Sequence, residues 1–297
     1  MPKRVNVVMT QCRVIPWPFL PALLLVYLLQ STAMVAAQTT REQAEPDFNY
    51  VYGAVLGSGY YKSASEKLLI LRIPLSFELP DSEWNTRILA PVAIGLRNGR
   101  DTPERREVSD NFATYSIMPG LAATFRLREN WEISPSAQLG IARDIKNNAS
   151  SWVTSAAVRH HGWWDLDSSR LTLGQRLRFA GQRDRSGGNE TAFILLEQGA
   201  DWNFATDSDF RGNPIRGGVF LLWQQYFNRL NIEGVSPARV DIDRLFQLGI
   251  TLGLERRMSI GGIPFKTIGI SLSRGNSYDG NEIKAINISL GFPLTED

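Results

Sequence analysis

From Leu68 onward, apolar and polar residues alternate in segments of about 9–11 residues, the length that a tilted strand needs to cross a bilayer. In the stretch 69–77 every second position is apolar, while Arg72 and Ser76 occupy two of the positions between. Successive side chains of a strand point to opposite faces, so a period of two indicates strands with one apolar and one polar face. Repeated many times in one chain, this pattern predicts an all-β protein, a transmembrane antiparallel up-and-down β-barrel with lipid outside and water inside.

The first 37 residues are predicted to be a cleaved signal peptide. A start with three basic and no acidic residues precedes the apolar stretch 18–29, and small residues lead up to a cleavage site after Ala37. An anchoring helix is the alternative, but the apolar stretch is short and contains Pro18 and Pro21. The expected organisation is a signal peptide over 1–37, a short polar segment over 38–47 and a barrel over 48–297.

Composition excludes several classes of function. The predicted signal peptide holds three of the 32 basic residues and none of the 30 acidic ones, which leaves the rest of the chain with a net charge near −1. Such a chain has no basic excess for nucleic acid, so we predict no nucleic-acid partner. Its single cysteine, Cys12, lies in the predicted signal peptide, so we also predict no disulfide and no thiolate metal site.

Period-two counting predicts twelve strands, an even number that places both chain ends on the periplasmic side. Outer-membrane barrels have short periplasmic turns and longer extracellular loops, and the predicted breaks mostly follow this rule, with 204–216 as the exception. The predicted strands cover residues 48–57, 67–79, 84–97, 112–127, 131–143, 152–164, 170–181, 191–203, 217–228, 243–255, 263–273 and 283–292.

Five tryptophans fall at strand ends that are predicted to face the periplasm. Trp and Tyr favour the membrane–water interface, so these residues are expected to form an aromatic belt. A soluble β-sandwich is the alternative, but it would place its aromatic residues in mid-strand as core. The predicted belt consists of Trp84, Trp131, Trp163, Trp164 and Trp202.

The last predicted strand ends in alternating apolar residues that finish on an aromatic one: Ile286, Ile288, Leu290 and Phe292. This ending resembles the closing β-signal that the barrel-assembly machinery recognises, with five further residues after Phe292. Together with twelve predicted strands, it resembles the solitary outer-membrane autotransporter-like barrels, which are translocator-type barrels that lack a passenger. The resemblance implies a single barrel domain, and the segment 38–47 is too short to be a passenger.

Many charged residues are predicted to point into the lumen, because a charge that faces lipid costs roughly 2–4 kcal/mol. Two interpretations remain open: a structural network of arginine–carboxylate pairs, which we favour, or a narrow aqueous pore that selects solutes by charge. Arg176 and Arg178 form either an anion-attracting patch or pairs with Glu197 or Asp201. The predicted lumen charges are Arg72, Glu78, Arg87, Arg97, Arg126, Glu132, Arg159, Arg176, Arg178, Glu197, Asp201 and Glu255.

Two histidines are the candidates for a histidine-dependent mechanism. His160 and His161 stand in the sequence His-His-Gly-Trp-Trp-Asp, without the His-x-Ser-Asn-Gly motif of the outer-membrane phospholipases. Their predicted position is the periplasmic end of the sixth strand, beside Trp163 and Trp164. We interpret them as interface residues, and we predict that the chain is not an enzyme and holds no metal or cofactor.

The sequence therefore predicts an integral outer-membrane barrel of a Gram-negative bacterium with a structural, pore or export-related role. The alternatives are a lipid-active enzyme and an adhesin or receptor that uses its extracellular loops. The expected partners are outer-membrane lipid and lipopolysaccharide, together with the secretion and barrel-assembly machinery during biogenesis. The sequence does not fix the oligomeric state.

Overall fold

The structure is a computed structural model. It describes residues 56–63, 66–80, 82, 84–98, 112–145, 150–185, 190–232, 240–260, 263–277 and 280–295. The predicted signal peptide and the segment 38–47 lie outside these residues. Among the described residues, no helix is long and apolar enough to cross a membrane.

The described residues form sixteen strand segments. In chain order they are β1 (Gly59–Ser63), β2 (Glu66–Ile73), β3 (Ser76–Glu78), β4 (Arg87–Leu89), β5 (Val92–Asn98), β6 (Phe112–Ile117), β7 (Gly120–Ala122), β8 (Phe125–Arg128), β9 (Trp131–Asp144), β10 (Ser150–Leu166), β11 (Ser169–Asp184), β12 (Glu190–Phe210), β13 (Asn213–Ile232), β14 (Val240–Ile260), β15 (Ile263–Ser277) and β16 (Glu282–Ser289).

Neighbouring strands pair antiparallel, and the sheet closes on itself where β16 pairs with β1. Gly59 lies opposite Asn287 and Ser63 lies opposite Ile283 in this closing ladder. Three barrel strands are interrupted, so β2 with β3, β4 with β5, and β6 with β7 and β8 each count as one strand. The result is a closed antiparallel barrel of twelve strands, which confirms the predicted fold class.

Prolines lie at three of these interruptions, because proline has no N–H to donate to the ladder. Pro74 lies between β2 and β3, Pro91 between β4 and β5, and Pro119 between β6 and β7. A backbone bond spans the first gap, since the N–H of Ala90 donates to the carbonyl of Leu75 at 2.8 Å. The two neighbouring strands therefore stay hydrogen-bonded to each other across the gap between β2 and β3.

The two faces of the barrel differ in polarity as the alternation predicts. Leu71, Ile94 and Leu252 are 54%, 44% and 65% exposed on the outer surface. Their neighbours Ile70 and Thr251 point the other way and are buried. A closed barrel with an apolar outer band and polar groups inside has the architecture of a bacterial outer-membrane protein, which is the predicted location.

The first strand does not lie at its predicted position, 48–57. Residues 48–55 lie outside the described part of the chain, and the two that follow are not in a strand. β1 lies instead inside the predicted loop 58–66. The side chain of Tyr60 is exposed and that of Tyr61 is buried. Because both faces carry an aromatic residue here, the sequence does not show the apolar–polar alternation that marks the other strands.

The predicted loop 204–216 is wrong. β12 continues to Phe210 and β13 begins at Asn213, so the turn consists of Arg211 and Gly212. Both residues have positive φ, 55° and 72°, as two-residue hairpin turns require for the twist of the flanking strands. We call this end of the barrel the turn end, which the rule of short periplasmic turns assigns to the periplasm, and the opposite end the loop end.

The chain turns into the barrel after its last strand. Ile286 and Ile288 face outward, being 50% and 59% exposed. Gly291 then has φ 149°, a conformation open to glycine, and Leu290 is half-buried. Phe292 is only 3% exposed, inside the barrel. Phe292 therefore does not continue the outward-facing series of Ile286 and Ile288, because the backbone is redirected one residue before it.

Candidate functional site in the barrel lumen

An apolar layer crosses the lumen toward the loop end. Its members come from strands around most of the barrel, including β1, β2, β9 to β14 and β16. Within it, Phe193 and Tyr226 pack with their ring centroids 6.1 Å apart. An apolar constriction offers water few hydrogen-bond partners and so opposes the passage of ions. This outer layer consists of Leu56, Tyr61, Leu68, Ile70, Met118, Ala142, Val153, Ala180, Phe193, Leu195, Tyr226, Ile242, Leu245, Ile283 and Ala285.

Below the outer layer lies a cavity of about 140 Å³, called the chamber from here on. Guanidinium, hydroxyl and amide groups make up much of its lining. Its charged lining residues, among those that the structure describes, are Arg72, Arg159, Arg176, Arg178 and Glu197. Four positive charges and one negative charge of the described residues therefore surround this space.

The negative charge of the chamber belongs to a two-bond ion pair. Arg176 and Glu197 lie directly opposite each other on β11 and β12. The Nε of Arg176 donates to Oε2 of Glu197, and its Nη2 donates to Oε1 at 2.9 Å. Gln224 on β13 donates a further bond to the same carboxylate at 3.0 Å. Arg176 thus pairs with Glu197, one of the two partners considered from the sequence.

Two more arginines lie next to this pair. Arg159 is directly opposite Arg176 across β10 and β11, and Arg178 follows Arg176 on the same face of β11. Arg159 and Arg178 are 4% and 6% exposed. Each of the chamber arginines makes further contacts of its own. Like charges placed directly opposite destabilise a strand pair, so this part of the wall concentrates positive charge in a buried place.

Neutral polar residues complete the chamber wall on β14, β15 and β16. Gln247 Nε2 donates to Ser271 Oγ at 2.6 Å, and Asn287 Nδ2 donates to Ser273 Oγ at 2.6 Å. Ser289 also lines the chamber, and its buried hydroxyl has no hydrogen-bond partner among the described residues. These strands therefore add amide and hydroxyl groups to a space that the arginines make positive.

The C-terminal residues close the chamber toward the turn end. Phe292 packs against Phe220 with ring centroids 5.8 Å apart, and both belong to a buried apolar cluster with Leu222 and Leu294. Thr295 ends this segment, since its N–H donates to the carbonyl of Phe292 at 2.9 Å. We call Phe292, Pro293, Leu294 and Thr295 the tail plug.

Two glycines of the lumen wall make room for the tail plug. A Cβ atom on Gly174 would lie 3.0 Å from Cβ of Leu294, and one on Gly199 would lie 2.6 Å from the carbonyl oxygen of Leu221 and 2.9 Å from Cζ of Phe292. Carbon atoms do not approach so closely without a shift, so glycine fits both positions while the tail plug is in place. The plug is therefore seated in the wall as well as packed on Phe220.

Other predicted lumen charges lie near the turn end, away from the chamber. Glu132 is 3.2 Å from the guanidinium of Arg126, whose side chain is largely exposed. Glu78 lies opposite Arg87 in the ladder between β3 and β4. These pairs sit close to water, where an ion pair contributes little to stability.

Of the last three predicted lumen charges, the structure describes the side chain of only one. Asp201 is buried and accepts a hydrogen bond from Asn203. The side chains of Arg97 and Glu255 lie outside the described residues. The structure therefore brings five of the predicted residues together in the chamber, and Asp201 is not among its lining residues.

The structure places the residues of the predicted aromatic belt on two different faces of the barrel wall. Trp84 and Trp202 are 60% and 52% exposed on the outer surface, and Trp131 meets Trp164 edge-on at 6.5 Å. Trp163 does not lie with them, because its ring lies on the lumen face of β10, 5.7 Å from that of His161. Consecutive strand residues point to opposite faces, so Trp163 and Trp164 do not both face lipid.

The same alternation separates the two histidines. His160 stacks on Trp131 at 5.4 Å between ring centroids, which matches an interface residue. His161 points inward, and its Nε2 lies 3.6 Å from Oε2 of Glu132. A histidine beside a carboxylate is one element of a general-base site. This pair lies at the turn end and does not line the chamber.

One ion pair lies at the turn after β10, outside the membrane-spanning part. The Nε of Arg170 donates to Oδ1 of Asp165 at 2.6 Å. This hydrogen bond and the charge of the guanidinium lower the pKa of the Asp165 carboxyl. The lowered pKa favours the ionised carboxylate that pairs with Arg170. Among the described residues, no group of three His, Cys, Asp or Glu side chains is arranged to hold a metal ion.

Comparison with known proteins shows likeness in fold only. No family model and no curated protein matches the chain. Among solved structures, LpxR from Salmonella typhimurium is similar at 10% identity and a TM-score of 0.41, over 80% of this chain and 91% of that one. The NanC porin is similar at 12% identity and a TM-score of 0.37, over 79% of this chain and 97% of that one. Neither likeness assigns an activity to this chain.

These findings bear on two predictions. The match to LpxR counts against the prediction that the chain is not an enzyme, so that prediction is wrong as an exclusion. The resemblance to solitary autotransporter-like barrels is not confirmed by either match and stays a prediction. The chain is thus an outer-membrane barrel by fold, with its role to be argued from its own lumen.

Proposed function

We propose that this barrel is a pore for small anionic solutes and that the conformation described here is its closed state. The observation that carries the proposal is the chamber, in which four arginines and one glutamate surround a cavity between two apolar sections of the lumen. Arginine-lined constrictions select anions in channels. The apolar sections would act as gates, since a hydrophobic constriction opens when water enters it.

A purely structural network explains the chamber less well. Removing an ionised side chain from water costs several kcal/mol, and well-packed apolar residues often replace a buried ion pair without loss of stability. The pair of Arg176 with Glu197 recovers part of this cost through three hydrogen bonds. Arg159 and Arg178 add two more buried positive charges beside it. Stability alone does not call for so many charged groups in one buried place, whereas an anion pathway makes use of the arginines.

Planar-bilayer recording on the purified barrel tests this proposal. The wild type is expected to open rarely, with a reversal potential in a potassium chloride gradient that indicates anion selectivity. Thinning both apolar sections with Phe193→Ala, Tyr226→Ala and Phe292→Ala in one variant should raise the open probability. The matched control carries Leu177→Ala, Leu221→Ala and Ile270→Ala, which remove exposed side chains from the outer surface.

The control variant should behave like the wild type. The proposal is overturned if the thinned variant inserts as a folded barrel but shows no conductance steps at any voltage. It is equally overturned if the steps are cation-selective, because the arginines would then not govern permeation. Folding is checked by the different gel mobility of heated and unheated barrel samples.

A second candidate function is lipid-directed hydrolysis at the turn end, which one observation favours. His161 and Glu132 place an imidazole beside a carboxylate at 3.6 Å in the lumen mouth. With phospholipid and lipopolysaccharide as substrates, this candidate expects turnover that is lost in His161→Gln. His160→Gln is the matched control, because that ring stacks on Trp131 on the other face. Turnover that is absent from the wild type, or unchanged in His161→Gln, would remove the candidate.

A further inference from the structure

We infer that the chamber is a binding site for one small free oxyanion of the size and charge of inorganic phosphate or sulfate. The inference deepens the proposed function, because it names the ligand class of the same chamber. It stands on three features of the wall, namely its charge, its hydrogen-bond donors and its volume.

The charge of the wall favours an anion at one place. Arg159 and Arg176 lie directly opposite each other, and Arg178 is two residues from Arg176 on the same face. Glu197 neutralises one of these charges through its bonds to Arg176. An anion beside Arg159, Arg176 and Arg178 would reduce the repulsion among these like charges. Coulomb interactions in such a buried place are also stronger than in water.

The donors of the wall match an oxyanion. Guanidinium groups present several N–H donors in a plane and bind phosphate and carboxylate groups through paired hydrogen bonds. The buried hydroxyl of Ser289 lines the same chamber and has no hydrogen-bond partner among the described residues. Ser136 and Ser155 place further hydroxyl groups in the lining. A hydroxyl can donate to an oxyanion that also accepts from the arginines.

The volume of the chamber sets the size of the ligand. A protein cavity of about 150 Å³ is large enough for benzene, which has six heavy atoms. The chamber measures about 140 Å³, so it fits an ion such as phosphate or sulfate with five heavy atoms. The outer layer and the tail plug enclose it on two sides, which favours a free ion over the headgroup of a lipid anchored in the bilayer.

Isothermal titration of the detergent-solubilised barrel with inorganic phosphate, at constant ionic strength, tests the inference. The wild type should bind one phosphate. Arg159→Gln and Arg178→Gln should each weaken binding by about tenfold or more, since each removes charge-assisted hydrogen bonds to the anion. Arg170→Gln is the matched control with the same loss of charge at the exposed turn after β10, and it should bind like the wild type.

Arg159→Lys keeps the charge and separates a binding defect from a folding defect. It should restore part of the affinity that Arg159→Gln loses, and heat-dependent gel mobility should show that each variant is folded. No binding to the folded wild type would overturn the inference, and so would an equal loss in Arg170→Gln and Arg159→Gln. Binding of a short-chain phospholipid without binding of inorganic phosphate would overturn the assignment of a free ion.

The two proposals fail separately in these experiments. Phosphate binding without any conductance leaves the binding site and removes the pore. Anion-selective conductance without phosphate binding leaves the pore and removes the site.

Discussion

Phe292 lies inside the barrel against Phe220, with ring centroids 5.8 Å apart and only 3% of its surface exposed. Truncating a buried phenylalanine to alanine typically costs about 3–5 kcal/mol. We therefore expect Phe292→Ala to lower the free energy of unfolding in urea by an amount in this range. Ile288→Ala, which removes an outward-facing side chain four residues earlier, should cost much less. Equal losses in the two variants would indicate that Phe292 faces lipid.

The contact of the tail plug with glycines of the lumen wall gives a second prediction. A Cβ on Gly174 would lie 3.0 Å from Cβ of Leu294, so Gly174→Val should push the tail plug out of its seat. A cysteine introduced by Leu294→Cys should then react with a water-soluble maleimide much faster than in the parent barrel, where this side chain is fully buried. Gly57→Val is the matched control, because a Cβ there meets no atom within 4 Å. Unchanged labelling in Gly174→Val would contradict the seating.

A third prediction concerns the buried ion pair of Arg176 with Glu197. Removing one partner of a buried pair leaves an uncompensated charge and costs about 3–5 kcal/mol. Glu197→Gln should therefore destabilise the barrel strongly, as measured by urea unfolding in lipid vesicles. The double variant Arg176→Met with Glu197→Leu removes both charges and should be more stable than Glu197→Gln.

The exposed pair of Asp165 with Arg170 is the control for this experiment. Asp165→Asn should have only a small effect on unfolding, because both side chains are largely in water. Additive losses from Arg176→Met and Glu197→Leu would contradict the pairing, since partners in direct contact are not expected to behave independently.

The outward and inward faces could be predicted from the sequence because alternation is a local property of each strand. Leu71 and Leu252 face outward as their parity requires. The strand ends were harder to predict, since polar residues continue a strand beyond the membrane without any change in backbone. This is why β12 runs on to Phe210 through residues assigned to a loop.

The apolar sections of the lumen were missed because they remove the alternation that was used to find strands. Residues 219–223 form a continuous apolar run in which Phe220 and Leu222 point inward while Leu221 and Trp223 point outward. Such a run indicates a strand that is apolar on both faces, and it is a signal that could have revealed the closed lumen. The tail plug carried a weaker signal, the glycine and proline on either side of Phe292.

The chamber depends on register, which a single sequence does not contain. Arg159 and Arg176 meet because β10 and β11 pair with that alignment. A shift of one residue would turn one of these arginines toward lipid. The sequence therefore supplied the inward arginines as separate residues, and only the pairing of strands showed which of them share a place.

The closing ladder between β1 and β16 gives the last prediction. Tyr60 lies directly opposite Ile286, and directly opposed residues of an antiparallel pair have Cα atoms about 4.5–5.5 Å apart, within the range of a disulfide. Tyr60→Cys with Ile286→Cys should therefore oxidise to a disulfide that joins the two ends of the barrel. After heat denaturation, the cross-linked chain should migrate differently on a non-reducing gel.

The control for this closure is Tyr61→Cys with Ile286→Cys. Adjacent strand residues point to opposite faces, so the cysteine at Tyr61 would face the lumen while the one at Ile286 faces lipid. That variant should stay reduced under the same oxidant, as should each single variant. A disulfide in the Tyr61 pair, or none in the Tyr60 pair, would show that the first strand has a different register. The position predicted from the sequence, 48–57, would then have to be considered again. The register is decisive because every inward residue of β1, including Tyr61 in the outer layer, depends on it.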